Sequence, residues 1–368
     1  MLRRRDVLAG AAALAGCSSV TVSAPPGFAG ARPLVIAHRG ASGERPEHTM
    51  AAYRRAIERG CDFIEPDLVM TKDGHFICRH ENELSGTTDV ADRREFRDRR
   101  VVKLIDGVET IGWFSEDFTL AEIRTLLTRE RIPELRPANT QYDRQEPIPT
   151  FQEVFELARD ESERTGRIIG LYPELKHPTH FHTRGLAMPD AMARFLRENN
   201  LDRANAPVFV QCFEEQALRA LRIQGVRTRL VFLMSADGGP YDQVVARRAR
   251  AYREYLEGDL AALHEFADAL GLEKTLIIPR DENGASLPPT DVVRRATAAR
   301  LPVHAWTFRA ENAFLPVELR RGDPDAPDYA RQHGDLAAEI LAFARLGVEG
   351  VFTDHPGEAR RALSGALA

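Results

Sequence analysis

Apolar and polar residues follow two different periods along this chain, and the first switch between them is sharp. Leu34 to His38 (LVIAH) is a short apolar run that breaks at Arg39-Gly40, which predicts a buried strand with His38 at its carboxyl end. From Thr49 to Arg59 the positions Met50, Tyr53 and Ile57 recur at helical spacing among Arg54, Arg55 and Glu58, and Gly60 supplies the stop. Cys61 to Val69 then returns to period two. Residues two apart in a strand share a face, so Glu65 and Asp67 are expected on the side of Phe63. Lys72-Asp73-Gly74 marks a turn, and Phe76 to His80 reads as an extended piece that puts a second histidine at a strand end.

Beyond His80 the periodicity lapses. Residues 89–118 are rich in charge and turn formers and read as a segment inserted after the second strand. Helices are predicted over Phe118 to Leu127 and Thr150 to Arg164, the second opened by Thr150 with Glu153 three residues on, and Pro133 to Pro149 between them is loop. From there strands and helices alternate. The strands are Arg167 to Lys176, Pro207 to Phe213, Thr228 to Met234, a weak pair at Ala267 to Leu270 and Leu276 to Pro279, Val303 to Phe308, and Glu349 to Thr353. Helices fall over Pro189 to Asn199, Glu214 to Gln224, Asp259 to Phe266, Thr290 to Arg300 and Leu336 to Leu346. Such alternation predicts an α/β fold with a parallel sheet. With the first two strands the count is about eight, the number that closes a (β/α)8 TIM-type barrel, here over residues 33–368; an open doubly wound sheet is the alternative. The barrel is preferred because polar or aromatic residues recur at strand ends: His38, Glu65 with Asp67, Glu174 with Lys176, Gln211 with Phe213, Trp306, and Asp354. A barrel gathers those ends into one ring.

Composition narrows the function classes. Hydrophobic residues make up 43% of the 368, enough for a large core, and the net charge of -5, with Arg interspersed among Asp and Glu, gives no field for nucleic acid. Residues 1–16 read as an export signal: Arg4-Arg5-Asp6-Val7-Leu8 has a twin-arginine pattern, and the apolar stretch from Val7 to Gly16 is too short to span a bilayer. Leu14-Ala15-Gly16-Cys17 has the form of a lipobox, which implies a lipidated Cys17, a short linker over 17–32 and a periplasmic, membrane-attached protein. Simple cleavage after Ala24 is the competing reading. Cys61, Cys78 and Cys212 lie in apolar runs without metal-ligand spacing, so buried packing is expected of them.

The candidate chemistry sits on the predicted ring. Glu65, Asp67 and Glu174 offer three hard oxygen ligands, the preference of Mg²⁺ or Ca²⁺ over zinc, and His38 and His80 flank them as groups able to carry protons near neutrality. The motifs HRGASGERPEHT, GCDFIEPDLVMTKDG, RHENELSGTTDVADR, IGLYPELK, VFVQCFEE and GVFTDHP run in order from residue 38 to 356. In these the chain resembles the glycerophosphodiester phosphodiesterases, closely the exported bacterial branch. The resemblance implies a barrel with a segment inserted after its second strand, catalytic roles for His38 and His80, and a divalent cation held by Glu65, Asp67 and Glu174. It also implies that Arg39, Lys176 and Glu47 line the phosphate or metal site and that Gln211, Phe213 and Trp306 form the glycerol pocket. The implied reaction converts glycerophosphodiesters such as glycerophosphocholine into sn-glycerol 3-phosphate and an alcohol. In the family scheme a free glycerol hydroxyl attacks first and water then opens the cyclic phosphate.

Some positions depart from the family pattern. Glu81 follows the second histidine where many members carry aspartate, His48 stands where asparagine is common, and Pro66 separates the two metal carboxylates. None of these removes a ligand or a proton carrier. Which histidine is acid and which is base stays open, as do two readings of Glu47, which either touches substrate or braces a loop. Gln211, Phe213 and Trp306 either line the glycerol pocket or simply pack. His177, His180 and His182 read as solvated loop rather than a metal site. Two other functions compete: a phospholipase of D or C type, which calls for an exposed apolar rim that the pattern does not reveal, and a lipoprotein that captures phosphodiesters without cleaving them.

Overall fold

The computed structural model describes residues 32–365, so the export-signal and Cys17 expectations lie outside the described residues. Apart from an exposed hairpin at 101–112, its strands are short runs of buried residues, as a parallel sheet covered on both faces requires. In chain order they are β1 (Leu34–His38), β2 (Phe63–Glu65), β3 (Asp67–Met70), β4 (Phe76–Cys78), β5 (Val101–Ile105), β6 (Val108–Gly112), β7 (Gly170–Leu171), β8 (Glu174–Leu175), β9 (Phe209–Cys212), β10 (Arg229–Met234), β11 (Ala269–Glu273), β12 (Val303–Phe308) and β13 (Gly350–Thr353). All but β5 and β6 join one sheet of eleven segments.

These eleven segments make eight barrel strands. β2 with β3 and β7 with β8 are halves of two strands, each interrupted by a proline, and β4 is an antiparallel addition to β3. Pro66 has no N–H for the ladder, but its carbonyl still accepts from the Glu174 amide at 2.9 Å, and the Pro173 carbonyl accepts from the Gln211 amide at 2.9 Å. β1 pairs in parallel with both β2 and β13, with His38 level with Glu65, and this closes the ring. The barrel is the expected (β/α)8 fold.

Alternation decides what fills the interior. Ile36, Phe63, Tyr172, Phe209, Val231 and Phe352 point inward and form a small apolar cluster, separate from the larger core between strands and outer helices. Gly170 is required there, because a Cβ on it would lie 2.2 Å from the Phe63 ring. The same strand faces carry His38, Glu65, Glu174, Gln211 and Trp306 one or two residues further on, so the apolar cluster is the floor of the polar ring. His304 belongs to that floor: it is buried and its Nδ1 pairs with the Tyr172 hydroxyl at 2.6 Å.

Between β4 and the helix Phe151–Thr165 the chain leaves the barrel, and Thr150 and Glu153 form the anticipated capping box where it rejoins. Residues 89–118 hold three 3-10 segments and the hairpin β5–β6, whose Asp106-Gly107 turn has positive φ at both residues (47° and 85°), the two-residue turn that fits strand twist. This hairpin corrects the expectation of no apolar rim. Val102, Leu104, Val108 and Ile111 are 50–65% exposed on it, a pattern too short to register within a charged stretch. Two further expectations fail. The helix over Phe118 to Leu127 shrinks to Leu120–Ile123, and Leu276 to Pro279 is no strand, because the helix Lys274–Ile277 follows β11 directly. Histidines 177 and 180 are not solvated loop: at the helix Pro178–Thr183, His177 binds Asp106 at 2.6 Å and buried His180 binds Glu116 at 2.8 Å, both anchors for the inserted segment, while His182 is exposed as expected but lies in the helix. Cys61, Cys78 and Cys212 are buried and free. Among the described residues no helix is long and apolar enough to cross a membrane.

Candidate active site

Strand β1 delivers His38 to the rim, and the neighbouring β13 delivers Asp354 immediately after its last residue. The His38 Nδ1 lies 2.7 Å from Asp354 Oδ1, while Asp354 Oδ2 accepts from Arg136 Nη2 at 2.6 Å and Arg309 Nε at 2.9 Å. A carboxylate facing Nδ1 holds the proton there, which leaves the Nε2 lone pair free. Burial, reinforced by Arg39, drives the His38 pKa down to about 4 despite Asp354. The second histidine repeats the device. His80 Nδ1 meets Glu81 Oε1 at 2.5 Å, and Glu81 is clamped by Arg131. Burial first, then Arg39 and Lys176, lowers His80 to about 3, although its side chain is 31% exposed, so desolvation and the neighbouring cations favour the neutral form of both imidazoles.

Between the histidines lie the acids. Ligand oxygens of Glu65, Asp67 and Glu174 lie within 4.8 Å of one another, and all three residues are buried. Cations hold them in place. The Arg39 amide, presented by a backbone at φ 59°, donates to Glu65 Oε2 at 2.8 Å, Arg39 Nε lies 3.1 Å from Asp67, and Lys176 Nζ lies 2.6 Å from Glu174. Burial raises the Glu65 pKa well above the usual carboxylate range, reinforced by Asp67 and Glu174, and burial likewise raises Glu174 to about 8. Asp67 goes the other way: burial alone would raise it, but Lys176 and Arg39 hold it well below. His48 explains its own departure from the family pattern, since its Nε2 reaches Asp67 at 3.0 Å while Tyr53 fixes the far side of the ring.

The group fits a hard divalent cation. Three crowded carboxylates, two of them pushed toward protonation, form a donor set that such an ion would relieve, and the buried Gln211 Oε1 beside them lacks any partner.

A cavity of about 340 Å³ opens over these groups. It is lined by His38, Arg39, Glu65, His80, Glu174 and Lys176, and by Gln211, Phe213 and Trp306 as well. Of the residues singled out in the sequence, Asp67, Glu47 and Asp354 are absent from that lining. Asp67 sits beneath it. Glu47 lies between two guanidinium groups, 2.9 Å from Arg39 and 2.8 Å from Arg131, so here it braces Arg39 rather than facing the main cavity. Phe213 and Trp306 pack edge to face with centroids 5.6 Å apart, forming an apolar wall. The sequence reading missed the basic side, where Lys274, Arg280 and Arg309 also line the cavity. It also missed the buttresses Arg131 and Arg136, which come from the irregular chain between the helices Leu120–Ile123 and Phe151–Thr165 and carry no periodic signal. Asp354 was visible as a ring position, though not as the partner of His38.

The profile of the glycerophosphoryl diester phosphodiesterase family matches residues 38–358, spanning every group described above. The chain belongs to this family. A glycerophosphodiester phosphodiesterase of Arabidopsis thaliana, GDPD6, is 33% identical over 346 residues, covering 89% of this chain and 84% of the relative. Another, from Haemophilus influenzae, is 26% identical over 370 residues, covering 95% and 94%. Among solved structures, an Oleispira antarctica phosphodiesterase in complex with the product sn-glycerol-3-phosphate superposes with a TM-score of 0.56 at 21% identity, covering 90% of this chain and 97% of that one. The Agrobacterium tumefaciens glycerophosphodiester phosphodiesterase gives 0.54 at 16%, covering 89% and 99%. At these identities the structural likeness concerns the fold.

Proposed function

We propose that this family member cleaves glycerophosphodiesters to sn-glycerol 3-phosphate and an alcohol, with His38 and His80 exchanging protons across the bound phosphate. The observation that carries the reading is that both imidazoles, each oriented through Nδ1 by an arginine-held carboxylate, line one cavity with Glu65 and Glu174. A phosphodiester anion repels nucleophiles, so its oxygens need positive charge nearby. Arg39, Lys176, Lys274, Arg280 and Arg309 supply it from the walls. One imidazole takes a proton from the attacking oxygen on its free Nε2; the other gives one to the departing alkoxide and must first carry it on Nε2 as imidazolium, a charge that its ionised partner, Asp354 for His38 or Glu81 for His80, favours. Glu65, Asp67 and Glu174 would hold Mg²⁺ or Ca²⁺, which supplies Lewis-acid polarisation of the phosphoryl oxygens. Phe213 and Trp306 offer apolar contact to the carbon skeleton of a glycerol moiety, and the product named for the Oleispira relative supports that substrate class.

The test is an incubation of the purified chain with glycerophosphocholine, with and without EDTA. Glycerol 3-phosphate that appears only when the cation is present is the expected result; tight binding without product would replace the enzyme by a capture protein. A second reading, action on intact lipid, is favoured by the exposed apolar hairpin β5–β6, whose turn is anchored through Asp106 to His177, next to Lys176 on the rim. Free choline from intact phosphatidylcholine in the same assay would select it. The signal pattern at Arg4-Arg5 and the lipobox at Cys17 support export and attachment to a membrane through lipid on Cys17.

A further inference from the structure

Glu311, His333 and His355 meet on the far side of Asp354 from the cavity. Glu311 follows β12, His355 follows β13, and His333 ends the long excursion that separates the two strands, bridged back to Glu311 by backbone pairing. One potential ligand atom from each lies within 4.8 Å of the others, yet no hydrogen bond or ion pair joins the three. Such spacing is too wide for direct bonding and close to what a shared ion spans.

Two of these residues each carry a buried polar atom without a partner. Glu311 is 1% exposed, and while its Oε1 accepts from Arg136 Nε at 2.6 Å, its Oε2 has no partner. His355 is 6% exposed and its Nε2 has none, while its Nδ1 has only a long contact of 3.3 Å from the Ala310 amide. Buried polar atoms without partners are costly, and two of them in one three-residue cluster need a reason. Ordinary packing gives a partial one. The His333 and His355 rings touch edge to face at 5.0 Å, but that contact leaves the Glu311 oxygen unaccounted for.

We infer that Glu311, His333 and His355 form a second cation site, distinct from the carboxylate triad and selective for a borderline divalent ion such as Zn²⁺. Two imidazoles and one carboxylate are the donor set of three-ligand zinc sites, with a fourth position left for water. Bonds of about 2.0–2.2 Å require the cluster to close slightly, and the side chain of His333, the exposed member, would be the one to turn inward. Ligation through His355 Nε2 puts the ring proton on Nδ1 and gives up the long Ala310 contact. The ion ties the ends of β12 and β13 to the excursion between them. It also sits at the end of a chain of contacts, Glu311 to Arg136 to Asp354 to His38, so it stiffens the support of a catalytic imidazole.

The site is separable from the first by ion hardness. The full chain, stripped of metal, is first given excess Mg²⁺ to fill the triad and then titrated with Co²⁺. One equivalent binding with the ligand-field absorption of low-coordinate, imidazole-bearing Co²⁺, displaced by Zn²⁺, is expected. In His333→Ala, an exposed position whose loss leaves the core intact, the absorption should vanish and affinity fall at least tenfold; Glu311→Gln should do the same. Zn²⁺ should raise the Tm of the wild-type chain and not of His333→Ala. Absence of the absorption in the wild type, or an unchanged titration in His333→Ala, overturns the inference.

Discussion

Replacing Asp354 by Asn tests whether His38 depends on its carboxylate. The change keeps the side-chain shape but removes the charge that accepts from His38 Nδ1 at 2.7 Å, and an amide can present its NH₂ there instead. His38 would then carry its proton on Nε2, facing the substrate, and could not act as a base. Losing a hydrogen bond to a charged acceptor is worth about 1.5–3 kcal/mol, and loss of a general acid–base group typically costs about 10²–10⁴ in rate. A fall in kcat within that range is therefore expected. KM should change little, because Asp354 does not line the main cavity. Stability suffers less than the burial of Asp354 implies, since Arg136 keeps Glu311 at 2.6 Å and the Ser42 carbonyl at 2.9 Å; a cost of about 1–3 kcal/mol is expected. The pH profile separates the causes. Asp354 raises the His38 pKa, so its removal takes the group further below about 4 and His38 stays neutral throughout the assay range. The acid limb should not move upward. Steady-state turnover of glycerophosphocholine, with circular dichroism as a control for folding, is the measurement. A folded Asp354→Asn protein whose kcat falls less than about threefold, far short of a lost acid–base group, would refute the reasoning.

Three more outcomes can be checked, two from the same geometry and one from the sequence pattern. Glu65 is raised and Glu174 lies at about 8 without a cation, so filling the triad must expel protons; affinity for Mg²⁺ or Ca²⁺ should climb as pH rises toward 8, and calorimetry in buffers of different ionisation enthalpy should register the release, with none detected counting against the triad as the ligand set. Gly170→Ala places a methyl 2.2 Å from the Phe63 ring and should cost about 1–3 kcal/mol in urea unfolding through overpacking of the barrel floor, whereas a neutral result would mean the floor is loosely packed. Cys17→Ser should release the protein from the membrane fraction of the producing cell, and retention would dismiss the lipid anchor.

The parts legible in the sequence are those whose physics is local. Alternation alone placed Glu65 and Asp67 on the inward face with Phe63, and it did so across a proline that breaks the strand, because Pro66 interrupts hydrogen bonding without changing which way its neighbours point. Thr150 and Glu153 announced a helix start for the same reason: the capping bonds lie within three residues. What stayed hidden is carried by contacts without local period. Asp354 orients a histidine 316 positions earlier, Arg136 reaches it from 218 positions away, and Arg131 meets Glu81 across 50 residues of inserted chain. A strand-end ring can be read from period two, since closure of the barrel brings its members together whatever their separation. The guanidinium groups behind that ring come from irregular loops, where nothing in the pattern says which arginine turns inward. Pairing energetics set that choice instead: the buried carboxylates of Asp354, Glu47 and Glu311 need positive charge, and Arg136 and Arg309 meet Asp354, Arg39 and Arg131 meet Glu47, and Arg136 also meets Glu311. Counting buried acids expected at the rim and asking what neutralises them is thus the step that would have found Arg131, Arg136 and Arg309 as a class, though not by number.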